Sequence, residues 1–245
     1  MGEEMVTRLI LVRHAEAEGN INRVFHGWTD SEITEKGHAQ AKLIAQYLRD
    51  TDIDVLYSSS LKRTLQTAEY IAKAKGLPII RTDKLKEING GNWEDVAWDI
   101  LPKKWPQEYY SWENEPHAHK MPGGESMKEF QRRLIEELKY IISSNKGNNI
   151  CIVTHGTAIR SLMCYFHHCD LEEMVGFPWV DNTSFTIVDY EDDKDDKDNK
   201  DCEGGQFTVI TEGNTSHLSQ EMKTLGNQEW WQKNIKDKKG VSAYE

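Results

Sequence analysis

Short runs of β-branched and other apolar residues alternate with segments whose apolar residues recur at helical spacing, and this alternation limits the possible folds more than any other feature. The runs are typical of buried strands and lie at residues 7–12, 53–57, 78–82 and 149–154. Strands that alternate with helices pair in parallel through right-handed crossovers. The sequence therefore predicts a single α/β domain over residues 1–245, folded as a three-layer α/β/α sandwich with a mainly parallel central sheet.

Three segments between the strands have one apolar face and recognisable ends. The first covers residues 41–48, and the second covers residues 61–72 and stops at Gly76, a residue suited to the left-handed position after a helix. The third begins at Ser126, and Glu129 follows at the spacing of a capping box. These segments are predicted to be helices that cover the sheet.

A region of different composition lies at residues 93–121. It is rich in Trp and Tyr, and prolines at positions 102, 106 and 116 divide it into short pieces. We expect a small helical cap insertion over one end of the sheet. Most of these aromatic rings are expected to pack the cap onto the body of the domain, because large aromatic side chains are usually core residues.

Two further strands are predicted near the C-terminus, at residues 184–190 and 207–211. The segment that joins them, at about residues 190–204, is strongly acidic and poor in apolar residues, so we expect a solvated loop. It lacks the residue spacing of an EF-hand, and no metal site is predicted there.

The charge of the chain limits its partners. Net charge is −11, and residues 189–203 carry nine acids and three lysines, so this stretch supplies six of the eleven net negative charges. Such a chain is not expected to bind nucleic acid or an anionic membrane surface. Four cysteines without a C-x-x-C pair, and an N-terminal region without signal-peptide pattern, predict a cytoplasmic protein.

Two histidines occupy matching positions, since His14 and His155 each follow an apolar strand and precede a small residue. Ligands bind at the carboxyl ends of parallel strands, so both imidazoles are expected at one edge of the sheet. Arg13 precedes the first histidine, and Arg63 falls in the first turn of a helix that starts near Ser60, where anions are favoured. Two arginines and two histidines at this edge predict a phosphate-binding site.

The chemistry at such a site has few options in this sequence. The P-loop pattern is absent, and no Asp and His cluster has the spacing of a two-metal centre. A histidine can instead act as nucleophile and form a phosphohistidine, provided that an acid protonates the leaving oxygen. Glu87, which precedes a glycine turn, is one candidate acid, but composition alone does not select it.

The residues around these positions match a known family. Arg13-His14-Ala15-Glu16, followed by Asn20, resembles the R-H-G-E-x-x-x-N signature of the histidine phosphatase superfamily, with Ala where Gly is usual. The similarity continues in order through residues 27–37, 57–68, 87–94, 122–126 and 153–156, and it covers about residues 7–190.

The resemblance implies a role for each matching residue and no metal or cofactor. His14 would be the nucleophile and Glu87 the general acid and base. The implied catalytic residues are His14, Glu87, His155, Arg13 and Arg63, and the implied substrate contacts are Arg13, Asn20, His26, Gly27, Arg63, His155 and Gly156. The expected partner is a small-molecule phosphate monoester, and the sequence makes no prediction of oligomeric state.

Two alternatives to a phosphatase stay open. The family also includes cofactor-dependent phosphoglycerate mutases, which hold a carboxylate-bearing sugar acid with additional cations in the segment after the acid. Residues 88–121 of this chain contain no arginine and only the lysines at 103, 104 and 120, which favours a phosphatase. A regulatory protein that binds phosphate without catalysis is disfavoured because every expected catalytic side chain is present.

Overall fold

The central sheet is built from six strands. The structure is a computed structural model that describes residues 6–192 and 205–228. Its strands are β1 (Val6–Arg13), β2 (Val55–Ser59), β3 (Ile79–Thr82), β4 (Asn149–Thr154), β5 (Phe185–Glu191) and β6 (Gln206–Asn214). They form one sheet in the order β3-β2-β4-β1-β5-β6. The strands β1 to β4 pair in parallel, and β5 runs antiparallel to both its neighbours. The predicted mainly parallel sheet is confirmed.

Helices cover both faces of this sheet. They are α1 (Glu18–Asn22), α2 (Glu35–Tyr47), α3 (Lys62–Lys75), α4 (Leu101–Lys104), α5 (Pro106–Asn114), α6 (Met127–Ser144) and α7 (Gly156–Phe166). Alternate residues of a strand point to opposite faces, and β1 divides its side chains accordingly. Leu9 and Leu11 belong to the core beneath α6 and α7, whereas Ile10 and Val12 belong to the core beneath α2 and α3. The predicted three-layer arrangement is confirmed.

The predicted helix ends are confirmed at two positions. The Ser126 hydroxyl accepts a hydrogen bond from the Glu129 N–H, and the Glu129 carboxylate accepts one from the Ser126 N–H, which completes the capping box of α6. Gly76 ends α3 with a φ of 69°, a left-handed conformation that costs glycine little.

Strand β2 lies two residues later than the sequence predicts. The N–H of Asp54 donates to the Asn149 carbonyl, and the Asp54 carboxylate accepts from the Asn149 N–H. These two bonds close the end of the ladder, and regular pairing begins at Val55, opposite Ile150. Ile53 is buried but precedes the strand in the sequence and does not belong to it.

Residues 93–121 fold into short helical pieces, as the three prolines predict. They comprise α4, α5 and a 3-10 turn at Pro116–Ala118. Trp93 and Trp112 are buried and join the core that also contains β1, while Phe25 contacts both rings. These rings therefore pack the segment onto the body of the domain. Its description as a cap insertion stays a prediction.

Most of the predicted acidic loop lies at residues 193–204, outside the described residues. Its first residues, Tyr190 and Glu191, still belong to β5. None of the helices in the described ranges is both long and apolar enough to cross a bilayer.

Candidate active site

The two histidines lie side by side at the carboxyl ends of β1 and β4. These strands pair in parallel, with Arg13 opposite Thr154, so both strands end at the same edge of the sheet. The centroids of the His14 and His155 rings are 5.4 Å apart. Both side chains are buried, with 6% and 0% of their surface exposed. The pairing of β4 with β1 brings together two residues that are far apart in the sequence.

A single hydrogen bond determines which nitrogen of the His14 ring carries the proton. Its Nδ1 lies 2.8 Å from the carbonyl oxygen of Ala15, and because a carbonyl only accepts, Nδ1 carries the proton. The lone pair is then on Nε2. Burial, followed by the charges of Arg63 and Arg13, holds the pKa of His14 well below its ordinary value of 6.5. The ring is therefore a neutral imidazole with a free Nε2, the form that acts as a nucleophile.

The methyl group of Ala15 does not crowd this arrangement. Ala15 is fully buried in a small apolar cluster with Ile33 and Ala41, and its N–H donates to the Thr67 hydroxyl. The alanine at a position where the family usually has glycine is thus accommodated by packing.

His155 is held by a hydroxyl on the neighbouring strand. Its Nε2 lies 2.8 Å from Oγ of Ser59, the last residue of β2. When Ser59 donates its proton to Nε2, the other ring nitrogen, Nδ1, carries hydrogen. That nitrogen is buried without a hydrogen-bond partner among the described residues. Burial and the charge of Arg63 hold the pKa of His155 well below 6.5, so the ring is neutral and not a cation. With Ser59 as the donor to Nε2, the Nδ1–H group is left for a ligand.

Arg13 is a buried cation at the start of α7. One of its terminal nitrogens donates to the carbonyl oxygen of Val180 at 2.5 Å. Its Nε has no partner among the residues described. A Cβ on Gly156 would lie 3.3 Å from Cζ of Arg13, so the absence of a side chain at this position allows the guanidinium to lie against the helix.

Arg63 lies in the first turn of α3, as the sequence predicts, and is 1% exposed. Its two terminal nitrogens donate to the carbonyls of Thr29 and Gly27, both at 2.8 Å. Its Nε is buried, again without a partner in the described part of the chain. Burial lowers the pKa of Arg63 from 12.5 to about 10, and the carboxylate of Glu87 opposes this shift. Arg63 therefore stays charged at neutral pH.

The loop that binds Arg63 is held by one carboxylate. Glu94 accepts hydrogen bonds from the backbone N–H groups of Gly27, Trp28 and Thr29, at 2.7–3.1 Å. A Cβ on Gly27 would lie 2.2 Å from the Ile88 carbonyl oxygen, so only glycine fits there without a shift of the backbone. Gly27 thus supports the site through its backbone and its lack of a side chain.

His26 and Asn20, two implied substrate contacts, have protein partners of their own. The His26 ring nitrogens lie 3.1 Å from the Ser31 hydroxyl and 3.0 Å from the Asp95 carboxylate, so both are engaged. The Asn20 amide oxygen accepts from the Ala17 N–H at 2.9 Å, which leaves the amide NH₂ as its donor group. Within residues 6–192 and 205–228, Asn20 therefore keeps a donor without a partner, whereas both ring nitrogens of His26 are engaged.

Glu87 is buried next to the helix that follows His155. One carboxyl oxygen accepts from the Ile88 N–H at 2.9 Å and the other from the Thr157 N–H at 3.0 Å. Burial raises the pKa of Glu87, although these two bonds and the charge of Arg63 oppose the rise. A carboxyl group with a raised pKa is suited to proton transfer near neutral pH.

The sequence did not point to Ser59, Asp181 or Asn182. Ser59 ends a parallel strand, and the rule that located the histidines applies to it as well. Asn182 precedes β5, whose amino end lies at the same edge because this strand is antiparallel. Its amide Nδ2 donates to the carbonyl oxygen of His14 at 2.9 Å.

The combined arrangement is a buried cluster of two cations and two neutral histidines. Arg13 Nε, Arg63 Nε and His155 Nδ1 are all buried without a protein partner in residues 6–192 and 205–228. Unpaired buried donors are rare and costly, so three at one site indicate an anionic ligand. No group of three or more His, Cys, Asp and Glu residues within the described residues is placed to hold a metal ion.

Comparisons with known proteins agree with this chemistry. The model of the histidine phosphatase superfamily (branch 1) matches residues 9–199. Phosphoserine phosphatase 1 of Hydrogenobacter thermophilus is 35% identical over 206 residues, which cover 83% of this chain and 97% of that protein. The probable phosphoglycerate mutase GpmB of Yersinia pestis is 34% identical over 218 residues, which cover 86% of this chain and 94% of that protein.

Solved structures agree as well. The structure of YhfR from Bacillus stearothermophilus is 32% identical to this chain, with a TM-score of 0.78, and the match covers 87% of this chain and 100% of that one. Although relatives with both names occur, the phosphatase interpretation fits these findings better than the mutase alternative. This chain belongs to the histidine phosphatase superfamily, branch 1, and is a phosphatase that acts on phosphate esters.

Proposed function

We propose that this protein hydrolyses small-molecule phosphate monoesters without a metal ion, through a phosphohistidine on Nε2 of His14. One observation carries the proposal. A neutral imidazole with a free Nε2 lies beside Arg13, Arg63 and His155, whose buried donors have no partner within the described part of the chain. A nucleophile and the donors for a phosphoryl group are thereby supplied together.

In the first step, Nε2 of His14 attacks phosphorus and the P–O bond to the leaving group breaks. Glu87 gives its proton to the departing oxygen, which leaves as an alcohol. His14 then carries the phosphoryl group on Nε2 and keeps its proton on Nδ1, which donates a hydrogen bond to the Ala15 carbonyl. The positive charge that develops on the phosphorylated ring is balanced by the charge of the phosphoryl group and by the Glu87 carboxylate.

In the second step, the Glu87 carboxylate takes a proton from water while the water oxygen attacks phosphorus. The P–N bond breaks and its electron pair returns to Nε2 of His14. Inorganic phosphate leaves, and Glu87 is again protonated and His14 neutral, as at the start. A general acid and base in this position contributes roughly 10²–10⁴ to the rate.

The pocket residues bind the phosphoryl group in this proposal. Arg13 and Arg63 supply the positive charge, and His155 supplies a neutral N–H. The NH₂ group of Asn20 is a further donor. Gly156 provides room for the Arg13 guanidinium, and Gly27 accepts a hydrogen bond from the Arg63 guanidinium through its carbonyl oxygen. His26 acts indirectly in this proposal. It belongs to the loop that holds Arg63, and its carbonyl oxygen lies 3.5 Å from a terminal nitrogen of that arginine.

The three lysines of residues 88–121 are all exposed to solvent. Lys103 is paired with Asp99, and Nζ of Lys104 lies 4.3 Å from the centre of the Trp105 ring. Lys120 is exposed. No residue of this segment therefore offers a buried cation for a substrate carboxylate, which supports hydrolysis over transfer between two positions of a sugar acid. A cytoplasmic location and the lack of nucleic-acid or membrane partners stay predictions.

The proposal is tested with an aryl phosphate in excess EDTA. Wild type is expected to release phosphate, and His14→Ala is expected to lose this activity. The matched control is His38→Ala, because His38 is an exposed histidine on α2 and should not affect turnover. Base-quenched enzyme should also contain acid-labile phosphate bound to His14. Turnover that survives in His14→Ala, or that EDTA abolishes, would refute the mechanism.

The related phosphoserine phosphatase suggests O-phosphoserine as the first physiological substrate to test. A panel of sugar phosphates and 3-phosphoglycerate should follow under the same conditions. Interconversion of phosphoglycerates at a rate above hydrolysis would favour the mutase alternative.

A further inference from the structure

Residues 180–182, which lie just before β5, contact both Arg13 and His14. The Val180 carbonyl accepts from the Arg13 guanidinium at 2.5 Å, and Nδ2 of Asn182 donates to the His14 carbonyl at 2.9 Å. Asn182 is completely buried. Asp181 lies between these two contacts. The conformation of this short turn therefore sets the position of the guanidinium and of the backbone that carries the nucleophile.

The Asp181 carboxylate is bound to a distant part of the chain. Its Oδ1 accepts from the N–H groups of Thr224 at 2.9 Å and Leu225 at 3.0 Å, and its Oδ2 accepts from that of Gly226 at 3.3 Å. Oδ1 also accepts from its own neighbour, the Asn182 N–H, at 2.8 Å. Bonds of this kind to an ionised group are stronger than neutral ones, so the turn is fixed to residues 224–226.

Thr224 is also bound on the other side of His14. Its hydroxyl donates to the Glu16 carboxylate at 2.9 Å and accepts from Nε2 of Gln40 at 3.0 Å. Thr224 is 3% exposed. The same residue thus contacts a carboxylate two positions after His14 and the carboxylate of Asp181. The hydroxyl thus contributes to the packing of the chain after His14, whereas the N–H group binds the turn at residues 180–182.

Charge gives Asp181 a role that Glu87 cannot fill. Both carboxylates stabilise the buried positive charge of Arg13. Glu87, however, must be protonated when the reaction begins, so at that point it offers Arg13 no negative charge. Asp181 takes no part in proton transfer and stays available as the counter-charge throughout the cycle.

We propose that Asp181 is a positioning residue that, through its bonds to residues 224–226, directs the Arg13 guanidinium toward the phosphoryl group. The inference rests on the proposed function for the identity of the ligand. Arg13 is long and has many rotamers, and its Nε has no protein partner in the described residues, so the Val180 carbonyl and the Asp181 charge determine where it points.

The test is direct binding of inorganic phosphate and of orthovanadate, measured by calorimetry on the full chain. Asp181→Asn keeps the shape of the side chain but loses the charge and one acceptor. Because a misplacement of about 1 Å can cost 10²-fold at a reacting centre, we expect binding of both anions to weaken by about tenfold or more. Asp181→Glu keeps the charge but moves the oxygens, and it should weaken binding as well.

Thr224→Val is the matched control. It removes the hydroxyl that contacts Glu16 and Gln40 but keeps the N–H that donates to Asp181. We expect it to lower stability while both anions bind within about threefold of wild type, since the Asp181 contact remains. If Asp181→Asn does not fold, the anion affinities of Asp181→Glu and Thr224→Val are compared in its place, and the expected difference is in the same direction.

Unchanged or tighter anion binding in the Asp181 variants would overturn the inference. Tighter binding would mean that the carboxylate only reduces the positive charge of the site, because its removal would then favour anions. Equal weakening in Thr224→Val would also overturn it, because a general structural role would then suffice. The assay needs no turnover. A wild type that binds phosphate but does not hydrolyse esters would refute the proposed function, and the comparison of variants would still decide the role of Asp181.

Discussion

At the scale of single residues, the reactivity of this protein depends on the state of a few buried polar groups. The bond from Nδ1 of His14 to the Ala15 carbonyl leaves Nε2 as the basic nitrogen. Burial beside Arg13 and Arg63 keeps that ring neutral, since a third positive charge next to these two would be unfavourable. In the proposed mechanism the same two cations attract the phosphoryl group. Nucleophile and ligand site thus follow from one set of electrostatic interactions.

Glu87→Gln tests the acid and base role. In the proposed mechanism the first step requires the protonated carboxyl, so wild-type activity should fall as pH rises through the pKa of Glu87, which burial has raised. The variant cannot lose a proton and should show no such fall. With an alkyl phosphate its kcat/KM should drop by roughly 10²–10⁴.

The dependence on leaving group supplies the control for this prediction. A 4-nitrophenyl leaving group needs little protonation, so Glu87→Gln should lose much less kcat/KM with it than with an alkyl phosphate. This ratio reports formation of the phosphohistidine and not its hydrolysis, in which Glu87 acts as a base for both substrates. An equal loss of kcat/KM with both substrates would show that the substitution acts on binding or structure and not on protonation of the leaving group.

At the scale of elements, the site is assembled where helices begin. Helix α3 places Arg63 in its first turn, and α7 starts directly after His155, with Gly156 next to Arg13. Both helices follow parallel strands, so their amino ends point to the edge where the phosphoryl group is expected. The long helix α6 carries none of these residues and instead covers the sheet with an apolar face.

Ser126→Ala tests how much the capping box stabilises α6. The serine hydroxyl satisfies an N–H group that would otherwise lack a partner in the first turn. Its removal should lower the free energy of unfolding by about 1 kcal/mol, measured by urea denaturation. Ser144→Ala, at an exposed position in the last turn of the same helix, is the control and should have little effect. Similar losses in both variants would contradict a specific cap.

At the scale of the whole molecule, buried neutral histidines make stability depend on pH. His119 is 1% exposed, and its ring contacts those of Trp93 and Trp112. Burial lowers its pKa to about 4. The folded state therefore resists protonation that the unfolded chain accepts near pH 6.5. Its contribution to stability is complete above that pH and is lost as pH falls toward 4.

His119→Leu tests this dependence. Between pH 7 and pH 5 the wild type should lose about 2 kcal/mol through His119 alone, and the variant should lose that much less over the same range. Wild type will lose more in total, because burial also lowers the pKa of His217 to about 4. Urea denaturation at the two pH values measures both. Parallel losses in wild type and variant would mean that His119 is not buried in its neutral form.

Much of the fold and part of the site could be predicted from the sequence because local patterns carry that information. Alternating periodicity identified the strands, and cap residues identified the ends of α3 and α6. The rule that ligands bind at strand ends selected Arg13, His14 and His155. Glu87 carries no such pattern, and only the family resemblance selected it.

What the sequence determined by itself was therefore local: the type of each element, its approximate ends and the residues at strand termini. The tertiary structure alone decided which strands are neighbours, and the insertion of β4 beside β1 is what brings His155 within 5.4 Å of His14. It also decided that Asp181 meets residues 224–226 and that His26 has both ring nitrogens occupied. Contacts between residues so far apart depend on the packing of the whole chain, and no short sequence pattern encodes them.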